Sequence, residues 1–204
     1  MTAAQRNNET LEDWTPGEGP AAAAEFTDCV FVRGRFDGAA FPATGFRRCR
    51  FVGCSLRNVR FEQRLMFGNH FEDCAVMGVD WGEPEAPGTA RGGGAARGRA
   101  PCPFVRMRKC VVRYQGFSRW DMKKADFAES AFTECDFSEC DLPGADFARA
   151  VFDEVGFRHC DLRKADFRDA LGYRIELAAT RVEKAKFSLP EVVGLLAGTG
   201  IVIT

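Results

Sequence analysis

The most constraining feature of this chain is a five-residue spacing of phenylalanine. Sixteen of its nineteen phenylalanines fall on two registers of this spacing, which together we call the comb. A period of five matches neither the helical period of about 3.6 nor the two-residue alternation of a strand. Such a fixed period indicates a solenoid, in which each repeat buries its apolar face against the next turn. The first register holds Phe26, Phe31, Phe36, Phe41, Phe46, Phe51, Leu56, Phe61, Met66, Phe71, Val76 and Trp81, and the second, one position out of phase, holds Met107, Val112, Phe117, Met122, Phe127, Phe132, Phe137, Leu142, Phe147, Phe152, Phe157, Leu162 and Phe167.

A second residue of each repeat, two positions before the comb residue, is usually small. One large and one small inward residue in every five predict a four-sided coil, with one side per repeat and about twenty residues per turn. A helix is excluded because residues five apart lie about 140° from one another on its surface. The small positions include Ala24, Cys29, Gly34, Ala39, Thr44, Cys49, Cys54, Val59, Asn69, Cys74, Val79, Cys110, Ala125, Ser130, Cys135, Cys140, Ala145, Ala150, Val155, Cys160 and Ala165. Arg64, Gln115 and Trp120 are irregular occupants of this position and predict local distortion of the coil.

Three segments in the second register repeat the sequence Ala-Asp-Phe, at residues 125–127, 145–147 and 165–167. Together with the comb, they give a pattern that resembles the pentapeptide-repeat proteins over roughly residues 24–170. This resemblance implies an all-β fold, a right-handed quadrilateral β-helix.

The length of 204 residues is most simply that of one domain. Residues 1–23 are polar and contain several Gly and Pro, which predicts a flexible leader. Residues 24–187 are assigned to the β-helix, with a basic loop at 82–103, and residues 188–204 to a C-terminal helix and strand. Because no signal peptide and no apolar run of about twenty residues is evident, we expect a cytoplasmic protein.

Eight of the nine cysteines occupy the small inward position, and only Cys102 lies outside it. Some stack one turn apart, as Cys140 and Cys160 do, and successive turns of a β-solenoid are about 4.8 Å apart. Bridging distance is therefore conceivable, although stacked side chains point the same way and no CxxC pair occurs. The pattern favours a small apolar packing residue, with metal binding or a redox switch as alternatives.

The comb disappears between residues 82 and 103, where Gly, Ala, Pro and Arg dominate. This composition predicts a long loop, either a docking arm for an acidic or nucleic-acid-bearing partner or a solvated insertion. Its GGGAARG segment lacks the Gly-Lys-Ser/Thr ending of a phosphate-binding loop. Basic residues exceed the two acidic ones, Glu83 and Glu85, in the loop and its flank. The candidate partner contacts are Arg91, Arg97, Arg99, Arg106 and Arg108.

The C-terminal segment departs from the repeat. Ser188 and Glu191 are spaced as a capping box, and Phe187 and Val192 are placed for a hydrophobic staple, so a helix is expected. A short apolar strand follows at 201–203. Because the last turn of a solenoid exposes strand edges that must be covered, this segment either caps its own coil or exchanges with a second copy. The predicted interface residues are Phe187, Leu189, Val192, Leu195, Leu196, Ile201 and Ile203.

The sequence offers little for catalysis. It has two histidines, no HExxH motif, no nucleophile elbow and no carboxylate pair apart from the repeat, so we expect no enzyme activity, cofactor or metal. Its aspartates recur beside comb residues and predict two columns on the coil surface. One column holds Asp121, Asp141 and Asp161, and the other holds Asp126, Asp146 and Asp166. Residues 1–120 contain 17 basic and 13 acidic side chains, whereas residues 121–204 contain 11 and 16.

The segment from residue 184 to 204, KAKFSLPEVVGLLAGTGIVIT, is similar to the C-terminal segment of Qnr-type pentapeptide proteins. The resemblance implies a tail-to-tail homodimer that binds DNA gyrase or topoisomerase IV and relieves poisoning by an antibiotic. In that family an acidic surface imitates DNA and projecting loops contact the enzyme. The two aspartate columns would therefore be the DNA-mimic face. The resemblance also implies that the protein contacts no membrane and binds no specific DNA sequence.

The sequence departs from the Qnr pattern in two ways. These departures make DNA mimicry a weaker explanation of function and favour displacement of the poison by the loop. Only one loop is evident instead of two, and the acidic surface is confined to the second half and offset by arginines. The alternative is a pentapeptide-repeat scaffold or adaptor with an unrelated partner, because fold alone does not define function. Direct nucleic-acid binding through the basic half is a third possibility, and it predicts strongly salt-dependent affinity.

Overall fold

A computed structural model describes residues 4–17, 23–62, 65–82 and 100–196 of the chain. The strands pair in parallel with those one turn earlier and later, which gives a β-helix of about eight turns. Phe26, for example, pairs with Phe46, twenty residues further on. The predicted all-β coil is therefore confirmed. Among the described residues, no helix is both long and apolar enough to cross a membrane.

The coil has four sides, which we call A to D in chain order, and its strands are numbered β1–β22 along the chain. Side A contains β1 (Ala4–Asn7), β3 (Ala24–Thr27), β6 (Thr44–Arg47), β10 (Met66–Phe67), β13 (Ala100–Pro101) and β16 (Trp120–Asp121). Side B contains β2 (Thr10–Glu12), β4 (Val30–Val32), β7 (Arg50–Val52), β11 (Asn69–Glu72), β14 (Phe104–Arg108), β20 (Asp166–Phe167) and β22 (Lys186–Phe187). Side C contains β8 (Ser55–Arg57), β12 (Ala75–Met77), β15 (Val111–Arg113), β17 (Ala131–Thr133) and β18 (Val151–Asp153). Side D contains β5 (Ala40–Phe41), β9 (Arg60–Phe61), β19 (Gly156–Phe157) and β21 (Arg174–Ile175).

The comb residues line the interior, and every one of them is buried. Rings one turn apart stack face to face: Phe26 and Phe46 have centroids 5.3 Å apart and planes 9° apart. Rings on adjacent sides meet edge to face, as Phe26 and Phe31 do at 5.2 Å. Offset stacking and edge-to-face contact are the two arrangements that aromatic rings favour, so one packing scheme repeats along the whole coil.

Most corners turn through a residue with positive φ, two positions after the comb residue. Arg48 (φ 52°) and Lys124 (φ 59°) hold this left-handed conformation on side A, where Gly68 and Gly144 stand in other turns. Glycine adopts it without steric cost, whereas other residues need the surrounding structure to hold it. The corner geometry is therefore set by the stacked coil rather than by turn residues alone.

The predicted flexible leader at 1–23 is wrong for its described part, residues 4–17. Strands β1 and β2 pair with β3 and β4 and add a turn to the coil. Trp14 then packs over the open end, with its ring 5.1 Å from Phe36 and 5.4 Å from Phe31. The comb did not reveal this turn because its inward position on side A holds Arg6, and only Leu11 on side B is apolar.

Candidate partner-binding surfaces

The insertion leaves the coil at one corner, after Trp81 on side D, and rejoins it on side A. There Ala100 pairs with Trp120 and Pro101 with Asp121, so Cys102 takes the comb position. Trp81 and Cys102 are 21 residues apart, whereas neighbouring comb residues are five apart. The insertion therefore adds sixteen residues, one more than three whole repeats, and this one additional residue shifts the comb by one position. The predicted loop boundary at 103 is therefore wrong, because residues 100–103 belong to the coil. Residues 83–99 lie outside the described part of the chain.

An aromatic cluster fills the coil at the level where the insertion rejoins it. Phe104 is buried in the inward position opposite Asn69, and the register shift there leaves the following Val105 outside at 48% exposure. The Phe104 ring lies 5.4 Å from Trp81 and 6.5 Å from Trp120. Since Cys102 is much smaller than a phenylalanine, these large rings occupy the space that a comb ring would fill. The irregular Trp120 therefore continues the core across the insertion.

Two buried amides bridge the same junction. Gln115 accepts a hydrogen bond from the Val79 N–H at 3.0 Å and donates one to the Val79 carbonyl at 2.9 Å. Asn69 accepts from the Cys49 N–H at 3.0 Å and donates to the Pro103 carbonyl at 3.1 Å. Each amide joins a residue before the insertion to one after it, Val79 to Gln115 and Asn69 to Pro103, in the way that Ser130 joins turns elsewhere in the coil. Arg64, the third irregular position, lies outside the described residues.

Two of the five candidate loop arginines are in the coil and already have partners. Arg106 and Arg108 belong to β14 on side B, not to the loop as predicted. Arg106 pairs with Asp126 at 2.9 Å and Arg108 with Glu129 at 2.6 Å. Both pairs form because residues one turn apart lie side by side on the coil surface. Arg91, Arg97 and Arg99 fall outside the described residues, so they stay predictions.

The two aspartate columns are present as predicted. Asp121, Asp141 and Asp161 bridge in sequence along side A, and Asp126, Asp146 and Asp166 along side B. Their carboxylates, however, turn toward their own corners and accept backbone N–H groups two residues later. The Ala148 N–H donates to Asp146 at 2.9 Å, and the Ala128 N–H donates to Asp126 at 3.1 Å. The aspartate in the Ala-Asp-Phe pattern thus stabilises a turn.

Arginines and lysines also neutralise these columns. Arg163 pairs with Asp161 at 2.6 Å, and Arg168 pairs with Asp166 at 2.7 Å. The hydrogen bonds from Arg163 and Arg168 hold the pKa values of Asp161 and Asp166 below the usual range. The two carboxylates are only 12% and 15% exposed. They present much less free negative charge than a row of phosphates.

The inward cysteines form a hydrogen-bond ladder between turns. The Cys160 thiol donates to the Phe137 carbonyl at 2.8 Å, and the Cys140 thiol to the Phe117 carbonyl at 2.9 Å. Ser130 makes the equivalent bond to the Met107 carbonyl at 2.8 Å. Burial raises the pKa of the Cys49 thiol to about 12, so this group stays protonated and unreactive. All nine cysteines are free, which supports the packing interpretation over a disulfide.

The C-terminal segment caps the coil with contacts that the sequence did not predict. Lys186–Phe187 pairs with β20, and the Phe187 ring stacks on Phe167 at 5.4 Å. A 3₁₀ helix follows at Glu191–Leu196. The predicted capping box is wrong, because Ser188 accepts the N–H of Asp169 and Glu191 accepts the N–H of Gly172. Both side chains therefore cover edge groups of the preceding turn.

The predicted interface residues in this segment divide into two groups. Phe187 and Leu195 pack against the core of their own chain, and Val192 and Leu196 are half-buried. Leu189 is 78% exposed and is free to contact another molecule. Ile201 and Ile203 lie beyond the described residues, so their role stays a prediction.

Comparison with known proteins agrees with this geometry. The family model for pentapeptide repeats matches residues 130–169 with 8 copies, and the rest of the coil has the same pairing and inward comb. Residues 130–169 thus match the pentapeptide-repeat family, and the whole coil has the fold of a pentapeptide-repeat β-helix. A search of curated proteins finds no match to the chain.

Several solved structures are similar to this chain. QnrB1, a plasmid-mediated fluoroquinolone resistance protein, matches with a TM-score of 0.52 and 15% identity, over 97% of this chain and 100% of QnrB1. A pentapeptide-repeat protein from the Arabidopsis thaliana thylakoid lumen is 28% identical over 37% of this chain and 52% of its own, with a TM-score of 0.35. HetL, from the cyanobacterium Nostoc, is 11% identical over 88% of this chain and 85% of its own, with a TM-score of 0.37. The likeness to QnrB1 is one of fold.

Proposed function

We propose that this cytoplasmic protein is a non-enzymatic homodimer that binds a type II topoisomerase, DNA gyrase or topoisomerase IV, and protects it from a poison. The match to the whole length of QnrB1, a fluoroquinolone resistance protein, supports this direction. The observation that carries the proposal is the single insertion in the middle of a coil whose interior is filled by aromatic rings. A filled coil has to act through its surface, and the insertion is the largest interruption of that surface.

In this proposal the insertion makes the main contact, and DNA mimicry contributes less. The aspartate columns cap turns and pair with arginines, so they are poorly suited to replace a DNA backbone. The filled junction at Phe104 and the bridges from Gln115 and Asn69 keep the coil continuous on either side of the insertion. The coil thus holds Gly82 and Ala100 at a fixed corner, and Arg91, Arg97 and Arg99, which lie between them in the chain, are the proposed contacts.

The decisive experiment is a gyrase supercoiling assay in the presence of a poison. Deletion of residues 83–98 places Trp81 and Cys102 five residues apart and restores the regular repeat across the junction. This variant should keep its thermal transition and lose most of its ability to rescue supercoiling. A matched variant with Arg91, Arg97 and Arg99 changed to Ala tests the charge of the loop at constant length. Equal rescue by the deletion variant and the wild type would remove the insertion from the mechanism.

A scaffold or adaptor role is the second candidate. It is favoured by exposed apolar side chains outside the insertion, such as Phe67 at 59% and Leu177 at 39% exposure. A pull-down with purified gyrase and topoisomerase IV subunits separates the two functions, because an adaptor for an unrelated partner would show no enrichment. Strongly salt-dependent binding to free duplex DNA would instead favour direct nucleic-acid binding.

A further inference from the structure

The outer face of side C differs from the other three sides. Residues directly before the comb position stack there as Ala75, Val111, Ala131, Val151 and Leu171, each bridged to the next. Val111 and Val151 are each 46% exposed, and Leu171 is 52% exposed. We call this row the side C stripe. On sides A and B the same positions of the later turns hold the aspartate columns instead.

The charges beside the stripe form no ion pair with one another in the described part of the chain. Sides A, B and D carry ion pairs, for example Arg48 with Asp28 at 2.7 Å and Arg119 with Glu139 at 3.1 Å. The exposed charges next to the stripe are Arg35, Asp37, Arg57, Arg113, Glu134, Asp153 and Glu154. The Asp37 carboxylate accepts hydrogen bonds from the Ser55 hydroxyl and the Arg57 N–H. An apolar row flanked by unneutralised charges is typical of a surface that is covered by another protein.

Apart from Asp37, these charges are separated by sign along the coil, with Arg35, Arg57 and Arg113 before Glu134, Asp153 and Glu154. Arg57 lies in β8, at one edge of the five-stranded side C sheet, and Asp153 lies in β18, at the opposite edge. Strand β15, with Val111, is in the middle. A two-fold axis through β15 would bring the basic edge of one copy onto the acidic edge of another. Symmetric dimers require this kind of self-complementary surface.

We propose that side C is a docking surface for a second, antiparallel copy of this chain. In this arrangement Val111 faces its own counterpart, and Ser55 and Arg57 face Val151 and Asp153 of the second copy. Ala75 faces Ala131, and because both are small the two sheets can approach closely. Arg113, on the same strand as Val111, faces Arg113 of the second copy, and Glu134 of that copy lies one strand away to offset this like-charge contact.

The contact is small and does not depend on the proposed topoisomerase function. Five strands at about 4.8 Å spacing span roughly 20 Å along the coil. The contact area is therefore small, as it is in weak, concentration-dependent interfaces. A C-terminal contact would leave side C free, so both contacts can exist in one assembly. A test of side C must therefore identify the face and not only the mass of the assembly.

Charge reversal in the full-length chain tests the arrangement. Arg57→Glu and Asp153→Arg should each weaken self-association at high micromolar concentration by about tenfold, because each creates two like-charge contacts per dimer. An equimolar mixture of the two variants should recover wild-type association, since both cross-contacts are then attractive. Analytical ultracentrifugation gives the affinities. No weakening by either change, or no recovery in the mixture, would overturn the proposal.

Cross-linking then identifies the facing residues. Cys102→Ser removes the one cysteine that is not buried. In that background Val111→Cys should give a covalent dimer with a short bismaleimide, which spans the roughly 10 Å between packed sheets. Val151→Cys alone is the matched control and should stay monomeric on a denaturing gel, but it should cross-link when mixed with Ser55→Cys. Equal cross-linking of the two single variants, or none with Val111→Cys, would overturn the two-fold axis at β15.

Discussion

The coil before the insertion and the coil after it share one interior but close their corners differently. Before the insertion, strands on sides A and B reach four residues, as in β6. Beyond β14, the first side B strand after the insertion, short bridges and tight turns prevail. The Ala145 N–H donates to the Leu142 carbonyl at 3.0 Å across such a turn, and Asp146 caps the next one. The comb thus fixes the interior, whereas the corner residues decide which charges the surface presents.

The comparison also explains how the chain tolerates its insertion. Each turn touches mainly its neighbours, so a break at one corner disturbs one level of the coil. The large rings of Phe104 and Trp120 fill the interior of the coil at that level. Because this packing connects the turns before and after the insertion, the two halves should unfold together.

The largest expected effect tests whether the halves form one cooperative unit. Phe137→Ala after the insertion and Phe51→Ala before it each remove a fully buried ring, so each should lower the free energy of unfolding by about 3–5 kcal/mol. Denaturant titration should give one transition for both variants. Two separate transitions in Phe51→Ala would show that the halves are independent.

A smaller loss is expected where an amide bridges the junction. Asn69→Leu leaves the Cys49 N–H and the Pro103 carbonyl without their side-chain partner, which should cost about 2–3 kcal/mol. Asn7→Leu, on the exposed strand β1, is the control and should change stability by less than about 0.5 kcal/mol. Thermal unfolding compares the stabilities of the two variants. An equal loss of stability in both would show that Asn69 does not bridge the junction.

The turn-capping aspartates should contribute less again. Asp146→Ala removes the acceptor of the Ala148 N–H and should cost about 1–2 kcal/mol. Asp153→Ala serves as control, because Asp153 is exposed and forms no ion pair within the described residues. A loss of stability confined to Asp146→Ala would show that the aspartate column is structural. The same two variants in the supercoiling assay would show whether charge on the column matters for rescue.

Acid should weaken the ion-paired surface gradually. Hydrogen bonds from Arg108 and Arg149 lower the pKa of Glu129 to about 2, and Asp161 and Asp166 are lowered by Arg163 and Arg168. Carboxylates with lowered folded-state pKa values stabilise the fold above their unfolded pKa of about 4 and lose this contribution as pH falls toward 2. Urea unfolding across this range should show a modest decline. Glu129→Gln should make the decline shallower, and an unchanged slope would contradict the assignment.

Much of the fold could be predicted from the sequence because a five-residue comb has few physical solutions. The inward rings, the small positions and the stacked aspartates followed from that spacing alone. The first turn of the coil did not, because Arg6 breaks the comb there and the pairing of β1 with β3 depends on backbone groups. The position of Arg106 and Arg108 within the coil was also hidden, since the insertion shifts the register.

The sequence by itself determined which side chains fill the interior, because burial of one large and one small residue per repeat is a local and periodic requirement. Only the tertiary structure decided what the surface does with its charges. Asp161 is paired with Arg163 and largely buried, Ser188 and Glu191 bond to the previous turn instead of to each other, and the charges of side C form no ion pair with one another in the described part of the chain. These outcomes depend on which residues lie side by side in neighbouring turns. The spacing of residues along the chain does not specify which of several nearby groups each charged or polar side chain binds.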